Sequence, residues 1–111
     1  MGRSKKRQLV LLNPRDPSDI SEGYNPLGSL RDLEDAMAPF NTAPDGSLGA
    51  SRGTMFLHGP GIVVEIPRGH DVIQQALVTV IEADIAFPVL MRMCRANAWK
   101  LQDVESGQMF G

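Results

Sequence analysis

Cysteine is nearly absent from this chain, with Cys94 alone among 111 residues. An intrachain disulfide is therefore excluded, and so is a zinc site built from several thiolates. Such usage fits a reducing compartment, so a cytoplasmic location is expected. Charge of one sign is also missing. Eleven Lys and Arg against 13 Asp and Glu leave a net charge of −2, so the chain as a whole is neither a polycation nor an acidic tail. Long apolar runs are missing too. Leu9 to Leu12, the longest aliphatic run near the start, falls short of the roughly 7 to 15 residues of a signal-peptide core and the roughly 20 of a membrane span. Gly2 is present, but Lys6 stands where the myristoylation pattern needs Ser or Thr. Neither secretion nor membrane contact is expected.

What the chain does have is an uneven distribution of apolar side chains. Residues 1–53 hold five of the eight prolines, six of the 11 glycines and only 11 Ile, Leu, Val or Met. Residues 54–111 hold 20 of that aliphatic type, with Trp99 and three of the four Phe. Ordering a residue costs roughly 1 to 2 kcal/mol of backbone entropy, which apolar burial must offset. The composition thus predicts an extended or disordered arm over 1–53 and a compact α+β module over 54–111, ordered β-β-α-α-β-β.

Within the arm, Pro14, Pro17, Pro26, Pro39 and Pro44 confine any helix to the intervals between them. One interval qualifies. Ser29 and Asp32 have the spacing of a capping box, and Leu30, Leu33 and Met37 then share a face, predicting a short amphipathic helix over 30–38. The stretch 41–52 reads as a linker. In the module, Met55 to Leu57 and Ile62 to Ile66 read as paired strands around His58-Gly59-Pro60-Gly61, with Pro67 ending the second. Asp71 and Gln74 suggest a cap for a helix over 72–82, carried by Val72, Ile73, Ala76, Leu77, Val80 and Ile81. Crowded β-branched residues over Leu77 to Ile81 argue instead for a strand. A second helix follows Asp84, with Ala86, Val89, Leu90, Met93 and Cys94 inward, and Pro88 limits its start. Trp99 to Gln102 and Gln108 to Phe110 make a closing hairpin. The expected module core is Phe56, Val64, Ile73, Leu77, Ile81, Leu90, Cys94 and Trp99.

Signs of enzyme chemistry are weak. Gly59-Pro60-Gly61 lacks the helix start and the lysine of a phosphate loop and reads as a turn. His58, His70, Cys94, Glu65 and Asp71 show no recurrent metal-ligand spacing, so no metal or cofactor is expected. Cys94 lies on an apolar stripe, where a thiol behaves as a small buried hydrophobe. Glu82 and Asp84 bracket a helix junction, which explains both without catalysis. The chain is expected to be no enzyme.

Contact elements are more credible. A short helix bearing Leu30, Leu33 and Met37 is unstable alone, because nucleation is costly below about 12 to 15 residues. It needs a surface, whether the chain's own sheet, a second copy or a separate protein. The expected function is a non-enzymatic adaptor, accessory subunit or assembly factor docking through its arm on a protein partner or in a homo-oligomer. The alternative is nucleic-acid binding by Lys5, Lys6 and Arg7 at the basic tip, with Arg92, Arg95 and Lys100 on a winged-helix-like face. Against it, residues 54–111 carry four basic and six acidic groups.

Overall fold

A computed structural model describes residues 7–40, 42–44 and 53–111. Strands β1 (Arg7–Pro14), β2 (Tyr24–Asn25), β3 (Ala43–Pro44), β4 (Thr54–Gly59), β5 (Ile62–Pro67), β6 (Ala76–Val80), β7 (Lys100–Asp103) and β8 (Met109–Phe110) accompany helices α1 (Leu30–Met37) and α2 (Ala83–Asn97). Seven strands lie in the order β3-β4-β5-β6-β1-β7-β8, and β2 pairs with the end of β1. Every pairing is antiparallel. The α+β class read from the sequence holds, and the molecule is a sheet with both helices on one face.

Residues 7–14 are extended, as expected of an arm, but they form a central strand. Leu9 pairs with Val78 of β6 on one side and with Asp103 of β7 on the other. Leu9, Leu11, Leu27, Leu33 and Met37 join one buried cluster with Val64, Val78, Leu90 and Leu101. The compact unit therefore includes residues from Arg7 onward, not only those from residue 54. The apolar side chains of the first half are few, but they fall where the sheet and α1 need them, and the second half supplies the rest of the core. The linker reading of 41–52 lies largely outside the described residues; within it, Ala43–Pro44 pairs with β4.

The capping box is present: the Ser29 hydroxyl accepts from the Asp32 amide, and the Asp32 carboxylate accepts from the Ser29 amide. These contacts satisfy two backbone donors that a helix start leaves open. A 3-10 turn, Ala38–Phe40, follows α1 and contains Pro39. The helix expected over 72–82 is a correction. Residues 76–80 form β6, flanked by β5 and β1, with Ala76, Val78 and Val80 buried and Leu77 and Thr79 turned the other way. Period-two burial and the β-branched Val78, Thr79 and Val80 suit a strand with neighbours on both sides. The order after residue 53 is thus β-β-β-α-β-β.

Helix α2 starts after Glu82, so Asp84 sits in its first turn and Pro88 lies inside it. Gly61 has φ +69°, and a Cβ there would stand 2.8 Å from the Glu82 carbonyl oxygen. That close approach lets the Gly61 carbonyl accept from the amides of Ile81 and Glu82, tying the β4–β5 turn to the start of α2.

Candidate functional site

The residues expected to dock a partner are spent on the fold. Leu33 and Met37 are 0% exposed within the core, and Leu30 packs against it half-buried. The surface that α1 needs is the chain's own sheet, one of the three possibilities the sequence left open.

Among the described residues, Arg7, Arg92, Arg95 and Lys100 of the nucleic-acid reading do not converge on one face. Lys5 and Lys6 lie outside the described residues. Arg7 is held: its Nε donates to Asp103 Oδ2 at 2.6 Å, and its guanidinium lies 5.5 Å from the Phe87 ring centre and 5.1 Å from that of Phe110. Arg92 and Arg95 are exposed on α2. Lys100 belongs to the sheet face opposite the helices, because its neighbours Trp99 and Leu101 point into the core. Its ammonium donates to the Gly111 carbonyl. The cations therefore sit on both layers.

Among the described residues, no group of three or more His, Cys, Asp or Glu could hold a metal ion. Burial pushes the Cys94 thiol up to about 12, against a smaller opposing pull from Lys100, so it packs as a core residue whose thiolate is scarce near neutrality. A cleft of about 380 Å³ borders Arg7, Gln8, Asp103, Val104, Glu105, Ser106 and Gln108. Of its two acids, Asp103 is already committed. Asp103 Oδ2 takes Arg7, and Oδ1 accepts from the amides of Glu105 at 2.8 Å and Ser106 at 3.0 Å. The Arg7 hydrogen bond first, and the Ser106 and Glu105 amides after it, hold the carboxyl down at about 2. Such an ion closes a turn; it is not poised to exchange protons near neutrality.

The sequence reading missed the sheet's second face. Leu9, Leu11, Leu57, Val64, Val78 and Leu101 point toward the helices, so their strand neighbours point away. Along one row across that opposite face stand Phe56, Glu65, Leu77, Val10, Gln102 and Met109, from β4 to β8. The adjoining row carries His58, Val63, Thr79 and Gln8. Val10, Phe56, Val63, Leu77 and Met109 are half-buried and belong to neither the core cluster nor the residues packed on it. Phe56 and Leu77, expected in the core, thus face away from it, and Ile81 is 45% exposed. Val64, Ile73, Leu90, Cys94 and Trp99 are buried as expected.

An antiparallel sheet covered on one side alternates apolar and polar residues, whereas strands covered on both sides read as nearly continuous apolar runs. Leu9-Val10-Leu11-Leu12, Ile62-Val63-Val64 and Ala76-Leu77-Val78 are of the second kind. That signal was legible in the sequence once these stretches were read as strands. Comparison with known proteins adds nothing to this geometry: no protein family, curated protein or solved structure matches the chain.

Proposed function

We propose that this chain is a non-enzymatic binding module, an accessory or assembly protein that docks through the open face of its sheet. One observation carries the reading: the middle of that face holds Val10, Leu77 and Val63 on the three adjacent strands β1, β6 and β5, where a solvated sheet would carry polar residues. A contiguous apolar stripe that keeps part of its surface in water offers a contact site in soluble proteins. The docking element of the sequence-based expectation moves from α1, which the core absorbs, to this face. The committed state of Asp103 and the burial of Cys94 are consistent with a protein that binds rather than reacts.

Site-specific photo-crosslinking in cells tests the proposal, with the probe replacing Val63 on the open face or Arg92 on the outer side of α2. Adducts are expected from position 63 and not from 92. Equal adducts from both positions, or none from 63, would reject the open face as the docking surface. Adducts removed by nuclease would replace the protein partner with nucleic acid.

A further inference from the structure

Resting on the binding reading above, we infer that the occupant of the open sheet face is a basic amphipathic α-helix of another protein, laid along the apolar strip. Val63 on β5, Leu77 on β6, Val10 on β1 and Met109 on β8 mark that strip obliquely across the strands. Its ends are four strand spacings and one two-residue step apart, a distance of roughly 20 Å. Thr79 and Gln8 border it on one side. In the row on its other side Leu12 is 8% exposed and the Lys100 ammonium is tied to the Gly111 carbonyl, so the free surface stops there.

Width selects the occupant. The strip is one to two side chains wide, whereas a second globular surface needs a broad contact of about 800 Å² per partner. A helix is about 10 to 12 Å across with its side chains, and roughly 14 residues of it, nearly four turns, span 20 Å. Backbone chemistry points the same way. The inner strands β5, β6, β1 and β7 have ladder partners on both sides, so the face presents side chains, and a segment lying on it must satisfy its own amides and carbonyls. A helix does so; an extended peptide does not. The same sheet already packs α1 and α2 against its other face.

Charge gives the helix its sign at one end. Glu65 stands two residues from Val63 on the same face of β5 and makes no ion pair among the described residues, so its complement is a Lys or Arg of the occupant. This chain does not supply the helix. Both of its helices bury their apolar sides, through Leu33 and Met37 in α1 and through Leu90 and Met93 in α2, and a folded second copy offers the same two. Residues 1–6 and 45–52, outside the described set, are six and eight long, against the roughly 14 that the strip takes.

Photo-crosslinking along the strip tests this, with the probe placed in the full chain at Val63, Leu77, Val10 or Met109 in turn and the adducted residue located by mass spectrometry. All of these probes are expected to mark one continuous segment of a different protein. The residues marked from positions 63 and 109 should lie roughly 14 apart, as a helix of that length requires. Glu65→Lys should lower the yield from position 63 about five-fold, and Glu65→Gln by less. The probes at 10 and 109 keep the test sharp should replacement of Leu77 impair folding. A separation of about six residues, the value for an extended chain, would overturn the helix while leaving the open face as a docking surface. Contacts scattered over separate segments, adducts to this chain itself, or adducts from position 63 alone would do the same. A yield indifferent to Glu65→Lys would overturn the basic end of the helix. Absence of adducts from every position would overturn the binding reading beneath it as well.

Discussion

Arg7 and Asp103, 96 residues apart in sequence, meet at 2.6 Å and join the first strand to the last hairpin. The guanidinium also lies over Phe87 and Phe110, whose ring centres are 5.6 Å apart, so one cation links β1, β7, β8 and α2. Because these contacts hold the Asp103 carboxyl down at about 2, the ionised form is favoured in the folded chain. An unfolded aspartate titrates near about 3.9, so the contribution is complete above that value and is lost as pH falls toward the folded value. Thermal unfolding followed from pH 6 to pH 2 should show a midpoint that drops below about pH 4. Asp103→Asn should start lower at pH 6 and fall less steeply. Parallel curves for the two proteins would contradict the assignment.

Core burial of α1 sets a second expectation. Leu33 is wholly buried, so Leu33→Ala should destabilise the chain by about 2 to 5 kcal/mol in urea unfolding, the range for a cavity left in a packed core. Leu30→Ala, half-buried at the edge of the same helix, should cost less. Were α1 a free docking helix, neither change would move the midpoint.

The contrast between these two cases shows what the sequence conveyed. Ser29 and Asp32 are three residues apart and announce a helix start by themselves, and Gly59 to Gly61 announce a turn; both are local chemistry. The Arg7 contact with Asp103 has no local signature. Neither does the placement of β1, since four apolar residues from Leu9 to Leu12 look sparse when averaged over a proline-rich half. Only the pairing of that strand between β6 and β7 gives them their weight. Over 72–82 two periodicities competed. Val78 and Val80 bury on one face with Ala76, and that strand alternation prevailed because β5 and β1 supply backbone partners on both sides. The open face followed from the same assignment. With 76–80 taken as a helix, Leu77 looked like core, and the stripe formed by Leu77, Val10 and Val63 was invisible.

Cys94 offers a kinetic check on the packing. With its thiol pushed from 9.0 to about 12, the thiolate available to a disulfide reagent at pH 8 should be depleted about a thousandfold relative to the unfolded chain. The native protein should therefore react slowly and become reactive in urea along the same curve as global unfolding. Rapid labelling without denaturant would show that α2 opens from the sheet on its own.

Two backbone positions carry opposite expectations. At Gly61 the positive φ and the nearby Glu82 carbonyl leave no space for a side chain, so Gly61→Ala should destabilise by at least about 1 to 3 kcal/mol. At Ala98, which ends α2 with φ 58° and ψ 38°, an L-residue occupies the left-handed region at a cost of roughly 1 to 2 kcal/mol. Glycine removes that strain and returns part of the gain as unfolded-chain entropy, so Ala98→Gly should stabilise by about 1 kcal/mol. The corresponding rise in melting temperature is about 4 °C. Calorimetry of both variants at one protein concentration separates this backbone effect from any shift in self-association. A fall in the Ala98→Gly midpoint would mean that the Ala98 methyl contributes more by packing than its conformation costs.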